Sequence, residues 1–304
     1  MSLSFTVLGS NAAVPAAGRL PSSHLLNVNE KYYLLDCGEG CQLQLRKYHI
    51  KTQRIQHIFI SHLHGDHYYG LIGLLTTMHL LSREKPLHIY SPPGLKEIID
   101  LQFSYSKTQL AYPVNYIEFT LPHAETLLDD ENLRVSTLPM VHSIPCWGFL
   151  FEEKGKLRSI IKEALGKYKI PVSEIQSIKE GADFMDASGN RIPNSEITTT
   201  PPAPQRFAYC TDTAYNESLI PMIRDVDMLY HEATFDAGMQ QRAKETLHST
   251  TADAANMALK SGAKKLIAGH LSARYKNTDG LSGELRGIFE NSSIAQEGRE
   301  YFVD

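Results

Sequence analysis

The chain has 304 residues, 42% of them hydrophobic and 21% charged, with 34 acidic against 30 basic side chains for a net charge of -4. That composition excludes intrinsic disorder and fibrous repeats, and the charge excludes a generally sticky polycation, so a polyanionic partner needs a local basic patch or metal ions. The cysteines Cys37, Cys41, Cys146 and Cys210 are too few and too unevenly spaced for a disulfide framework, and no run of about 18 apolar residues is present to cross a bilayer.

In chain order, short apolar stretches predict strands at 3–8, 25–28, 31–36, 55–60, 87–90, 133–138, 145–151, 206–211, 227–231 and 264–269. Amphipathic stretches predict helices at 68–82, 94–106, 216–223, 250–261 and 281–290. Adjacent strands with helices alternating in each half read as an α/β protein, either one mixed sheet or two sheets covered by helices. Residues 3–8 lack a basic leader and are too short for a secretion signal, which predicts a cytoplasmic protein.

A single hydrolase-sized domain over 1–304 is expected, interrupted by an insertion at 152–204. The insertion opens with Lys154, Lys156, Arg158, Lys162, Lys167 and Lys169 against the one acid Glu163, and its periodic Leu157, Ile160, Ile161, Ala164 and Leu165 predict a short helix. It passes through a turn at 186–190 and ends in a proline-rich stretch, Thr198 to Pro204, unsuited to helix or central strand. Two readings stand open: a solvated surface excursion, or an arm whose Lys154, Lys156 and Arg158 contact phosphates.

The strongest chemical signal is Ser61-His-Leu-His-Gly-Asp-His67. Four ligand-type side chains within six residues, His62, His64, Asp66 and His67, cannot be a core device, because burying them without partners is costly. The apolar strand 55–60 delivers them to a strand's carboxyl end, where α/β sheets place their sites. Two first-row ions need about eight protein contacts, or seven if one carboxylate bridges. His142, Asp212 and His270 each directly follow an apolar strand and complete a set of seven.

At this point the sequence resembles the metallo-β-lactamase superfamily, whose signature is His-x-His-x-Asp-His, and within it the ribonuclease Z family, which processes transfer-RNA 3′ ends. The narrower resemblance rests on Leu8-Gly-Ser-Asn-Ala-Ala-Val-Pro15, on Leu35-Asp-Cys-Gly-Glu-Gly-Cys-Gln42 with Cys41 where threonine is usual, on His231-Glu-Ala-Thr-Phe235, on His248-Ser-Thr250, and on His270-Leu-Ser-Ala-Arg-Tyr275. It runs from about residue 3 to 289. It implies an αββα sandwich: two mixed sheets face to face, flanked by helices, with two zinc ions per subunit at one edge. It assigns His62, His64, His142 and Asp212 to the first ion and Asp66, His67, His270 and again Asp212 to the second. Nitrogen and carboxylate ligands accept manganese or iron as well as zinc. Nothing calls for an organic cofactor.

Asp66 resembles the family residue that serves as proton acceptor; a metal-bound carboxylate is a weak base, so two roles stand open for it, taking the proton or only orienting the attacking hydroxide. His248 is then a candidate general acid with Glu232 orienting its ring and raising its pKa; the alternative is that His248 caps the helix near Ser249. His231 is expected to support a ligand rather than bind metal. Arg274, four residues after His270, either grips a substrate phosphate or pairs with a carboxylate. Two departures stand out. The family's Pro-x-Lys-x-Arg-Asn loop, tied to the CCA terminus, reads Pro15-Ala-Ala-Gly-Arg19-Leu20, keeping Arg19 alone of its polar residues, and the insertion lacks the family arm's Gly-Pro motif. The resemblance implies precursor transfer RNA as substrate and a homodimer. The competing readings are another hydrolase of the superfamily (small phosphodiesterase, thioesterase, lactonase or β-lactamase) and an inactive RNA-binding scaffold, which the intact ligand set disfavours.

Overall fold

A computed structural model describes residues 3–303, so the extreme ends of the expected 1–304 domain lie outside the described residues. Two compact units emerge: residues 3–129, 135–151 and 205–303, and residues 130–134 with 152–204.

In the first unit, strands β1 (Leu3–Gly9), β2 (Ser23–Val28), β3 (Lys31–Cys37), β4 (Ile55–Phe59), β5 (Leu87–Ser91) and β6 (Val114–Glu118) precede β7 (Thr126–Asp129), β8 (Leu133–Pro139) and β9 (Trp147–Glu153). The insertion carries β10 (Ser159–Ile160), β11 (Phe184–Met185), β12 (Arg191–Ile192) and β13 (Thr198–Thr199). After it come β14 (Arg206–Cys210), β15 (Met228–Glu232), β16 (Leu266–Gly269), β17 (Ser292–Ile294) and β18 (Glu300–Phe302). Two seven-stranded sheets result, in the orders β18-β1-β2-β3-β4-β5-β6 and β17-β16-β15-β14-β9-β8-β7. Both are mixed in composition terms: β1 to β3 pair antiparallel, β3 to β6 parallel, and β14 to β17 parallel.

The sheets face each other through a layer of rings. Phe5 meets Phe207 at 4.9 Å, and Phe59 meets Phe149 at 5.2 Å and Phe151 at 5.5 Å. Alternate side chains of each strand point into this layer, and the opposite faces are covered by helices. On the first sheet α1 (Cys41–Lys47), α2 (Gly65–Tyr68), α3 (Leu71–Leu80) and α4 (Leu95–Ser106) bury Leu45, Leu71, Leu74, Leu75, Leu95 and Ile99. On the second, the two long helices after β15 and β16, residues 251–261 and 279–288, bury Ala254, Met257, Ala258, Leu281 and Leu285. All four cysteines are free and buried. Among the described residues no helix is long and apolar enough to cross a membrane.

Two predicted helices differ from the structure, each for a local reason. The stretch 68–82 breaks at Gly70, whose N–H donates to the Cys37 carbonyl at 2.9 Å and whose α-carbon sits where a Cβ would lie 2.1 Å from the Gly38 oxygen. The stretch 216–223 forms only a 3₁₀ turn at Glu217–Leu219, because Pro221 can neither donate nor fit inside a longer helix.

The insertion unit has a small core of its own, Ala164, Ile170, Ile178, Phe184, Ile192 and Ile197. Helices α5 (Lys162–Lys167), α6 (Ile175–Lys179) and α7 (Asn194–Ile197) surround it, and Ile160, expected in the helix, lies instead in β10. The buried Asn194 donates to the carbonyls of Ile178 and Ala182, both at 2.7 Å. The 186–190 turn closes the β11–β12 hairpin, with Asp186 Oδ1 accepting from Ser188 N and Asn190 N.

Helices α8 (Gln240–Thr246), α9 (Thr251–Ser261) and α10 (Asp279–Ile288) complete the chain. Thr250 starts α9 with a full capping box, its hydroxyl and Asp253 each bonding the other's backbone N–H. Replacing Thr250 by Ala is expected to cost about 1–2 kcal/mol, read as a lower urea midpoint at unchanged slope.

Candidate metal centre and active site

Parallel strands bring the chemistry to one edge. His62 to His67 follow β4, Asp212 follows β14, Glu232 ends β15 and His270 follows β16, so all arrive at carboxyl ends, and His142 joins them from the turn after β8. His62, His67, Asp212 and His270 are almost wholly buried. His270 takes a left-handed backbone, φ 56°, a conformation a non-glycine residue holds only when its surroundings enforce it.

Asp212 sits at the centre with its two oxygens divided. Oδ2 faces His62 Nε2 at 3.6 Å and His142 Nε2 at 3.7 Å, while Oδ1 faces His270 Nε2 at 3.2 Å and His67 Nε2 at 3.4 Å. On the first side His64 Nδ1 lies 3.0 Å from His62 Nε2 and 3.2 Å from His142 Nε2. On the second, Asp66 Oδ2 lies 3.5 Å from both His67 Nε2 and His270 Nε2. These are two donor clusters, His62-His64-His142-Asp212 and Asp66-His67-His270, and a third group, Asp212-His248-His270, shares two of the same residues.

The clusters fit cations. His67 Nε2 and His270 Nε2 are buried without a hydrogen-bond partner, which is costly for a polar atom unless a ligand completes it. Each ring is oriented from behind through its other nitrogen. His67 Nδ1–H donates to Asp36 Oδ2 at 2.8 Å, His142 Nδ1–H to the Leu247 carbonyl at 3.2 Å, and His270 Nδ1–H to Thr234 Oγ1 at 3.0 Å. That arrangement presents the remaining nitrogen's lone pair to the centre.

Burial works against the charged form of Asp212, but the neighbouring imidazoles of His270 and His67 outweigh it and hold the carboxyl well below the usual carboxylate range. Asp66 is likewise lowered: burial opposes, and His67 and His270 outweigh it. Both are therefore anions at neutral pH, as hard-cation ligands must be.

Glu232 and His248 form a second feature beside the centre. The fully buried Glu232 accepts from Thr213 N (2.8 Å) and His248 Nδ1–H (2.7 Å) on Oε1, and from Thr234 Oγ1–H (2.7 Å) on Oε2. His248 stacks over His270 at 5.5 Å and lies 5.0 Å from the His142 ring. It does not cap α9, since Thr250 does. Burial pulls the His248 pKa down, but the Glu232 carboxylate more than offsets this and raises it to about 9. An imidazolium donor is present below that value and lost above it. Replacing Glu232 by Gln removes the anion, so the alkaline limb of the turnover–pH profile is expected to move to lower pH; an unmoved limb would separate the pair from catalysis.

A cavity of about 650 Å³ opens over these groups, walled by Ala13, Val14, Tyr69, Phe235 and Arg274 with His64, Asp66, His248 and His270 on its floor. Arg274 lays its guanidinium 5.1 Å from the centre of the Phe235 ring and donates to Ser272 Oγ; among the described residues it pairs with no carboxylate. Arg19 is placed differently. Its guanidinium donates to Asn11 Oδ1 (3.0 Å) and the Tyr275 carbonyl (2.8 Å), holding the loop after β1 rather than lining the cavity. Lys154, Lys156 and Arg158 lie in the insertion unit, where Arg158 Nε donates to Thr198 Oγ1 at 2.7 Å. His231 is buried, with Nδ1 donating to the Glu232 carbonyl at 2.7 Å.

Sequence reasoning missed Asp36 and Thr234. Asp36 is fully buried and takes four donors: Ser61 N and Oγ, His67 Nδ1–H and Tyr209 Oη–H, at 2.8–3.0 Å. Its signal was its position at the end of β3, the same strand-end placement that singled out Asp212. Thr234 ties Glu232 to His270 through one hydroxyl; its signal was its place inside the His231–Phe235 motif.

Comparison with known proteins bears on the whole chain. The first half belongs to the sequence family described as Anti-Pycsar protein Apyc1, with residues 3–159 matched, a match that ends before Asp212, Glu232, His248 and His270. Relatives called ribonuclease Z run through all of these. That of Bacteroides thetaiotaomicron is 44% identical over 96% of this chain and 92% of its own, and that of Cytophaga hutchinsonii 41% identical over 100% and 97%. The crystal structure of human tRNase Z, short form, superposes with a TM-score of 0.74 at 27% identity, covering 99% of both chains. The chain belongs to the ribonuclease Z family of metal-dependent endoribonucleases with the metallo-β-lactamase fold.

Proposed function

We propose that this protein cuts the 3′ trailer from precursor transfer RNA, leaving a 3′ hydroxyl on the transfer RNA and a 5′ phosphate on the trailer. Two divalent ions per chain are assigned to the seven residues above, with zinc the first choice for a set rich in imidazole. When bound, such ions supply Lewis acidity toward the phosphate oxygens and make water acidic enough to attack near neutral pH.

The protein's own groups do the rest. Asp66, whose Oδ2 accepts from Ala13 N at 2.8 Å, is aimed to orient the attacking water and take its proton. His248 donates a proton to the departing ribose 3′ oxygen, poorly stable as an alkoxide, while Glu232 keeps the ring protonated and turned inward. Arg274, free of any ion pair and set in the cavity wall, holds a flanking phosphate. The observation that carries this reading is the 2.7 Å Glu232–His248 contact next to His270: a proton donor is what a poor alkoxide leaving group requires, and the thiolate leaving from a thioester does not.

The insertion, with its basic run at 154–169, is inferred to bind the body of the transfer RNA, and the family resemblance further supports a cytoplasmic homodimer. Removing 152–204 is expected to raise KM for precursor transfer RNA and to spare hydrolysis of bis(p-nitrophenyl) phosphate. Equal loss on both substrates would count against that role, and light scattering at assay concentration tests the dimer.

A further inference from the structure

Tyr69 directly follows α2; the residue is 64% exposed and lines the cavity that holds His64, Asp66, His248 and His270. A single exposed ring on a protein surface needs no explanation, but this one is fixed in place. Its backbone N–H donates to the Gly65 carbonyl at 2.9 Å. The ring lies so close to the Gly65 α-carbon that a Cβ there would meet Cε2 at 2.1 Å and Cζ at 2.2 Å. Tyr68 meets it edge-on, with centroids 5.0 Å apart and planes at 72°. Gly65 itself stands between His64 and Asp66, one residue from each donor cluster. The packing thus holds an aromatic face beside the place where a phosphodiester is cleaved and leaves that face uncovered.

We propose that the Tyr69 ring is a stacking platform for the nucleobase flanking the scissile phosphate, an inference that rests on the ribonuclease reading above. Every base has a π-face, so stacking gives affinity without base identity, which suits an enzyme whose precursors differ in sequence at the cut. It also separates RNA from small diesters that share the same phosphate chemistry.

The test compares wild type, Tyr69→Ala and Tyr69→Phe on precursor transfer RNA with a normal base, or an abasic nucleotide, on either side of the cut. Metal per chain is measured alongside. Tyr69→Ala is expected to raise KM by about 5–150-fold on the normal substrate, with metal content unchanged and Tyr69→Phe close to wild type. Its penalty should vanish on one of the two abasic substrates, which identifies the stacked base. The platform is overturned if the penalty persists on both abasic substrates, if Phe loses as much as Ala, or if Ala lowers metal content. Wild-type protein that leaves precursor RNA intact overturns the ribonuclease reading and the platform with it. RNA that is cut equally well by Tyr69→Ala sinks the platform alone.

Discussion

Replacing His248 by Ala is expected to lower kcat on precursor transfer RNA by about 10²–10⁴-fold while leaving the bound metal in place. The magnitude follows from the leaving group, since a ribose alkoxide departs slowly without a proton. The selectivity follows from the geometry. His248 Nδ1 is committed to Glu232 at 2.7 Å, and although His248 also stands in a group with Asp212 and His270, the two clusters His62-His64-His142-Asp212 and Asp66-His67-His270 do not contain it. The same variant should lose far less on a diester with p-nitrophenolate as leaving group, because that anion needs no proton. Equal loss on both substrates, or unchanged turnover on RNA, would remove His248 from the role of acid.

Asp212→Ala is expected to be the more severe change. Its two oxygens face imidazoles of both clusters, at 3.2–3.7 Å, so the substitution strips each cluster of an anion at once. Activity should fall by more than about 10³-fold, through combined loss of charge neutralisation and water activation, and metal per chain should drop. Stability supplies a second readout. Wild-type protein stripped by a chelator should gain about 2.7 kcal/mol when metal is restored to a hundred times its dissociation constant; Asp212→Ala should gain much less under the same conditions. Full metal content in the variant would show that another residue bridges.

Much of the site was legible because its residues share one placement. His62, Asp212 and His270 each follow a run of apolar residues that could only be a buried strand, and β4, β14 and β16 carry them to the same edge. What the strands pair with was not legible in the same way. Strands β6, β7, β17 and β18 are short or only half-buried, and they exist as strands because a neighbour supplies the ladder. Gly70 reads as an ordinary helix residue until the Cys37 carbonyl, far away in sequence, is seen to take its N–H. Asp36 looked like the polar end of a strand, and only the folded chain gives it Ser61, His67 and Tyr209 as donors. Arg19 matched a loop tied to RNA ends, yet its guanidinium is occupied by Asn11 and Tyr275. A motif match cannot reveal which donors a side chain has already spent.

The central claim meets its most direct test in the cleavage of a 3′-extended precursor transfer RNA by metal-replete protein, with both product ends mapped and Asp66→Ala run in parallel. The expected result is a single cut after the discriminator base, a 3′ hydroxyl on the transfer RNA, a 5′ phosphate on the trailer, and no cut by the variant. Intact RNA in the presence of metal-dependent hydrolysis of a thioester, lactone or β-lactam would contradict it.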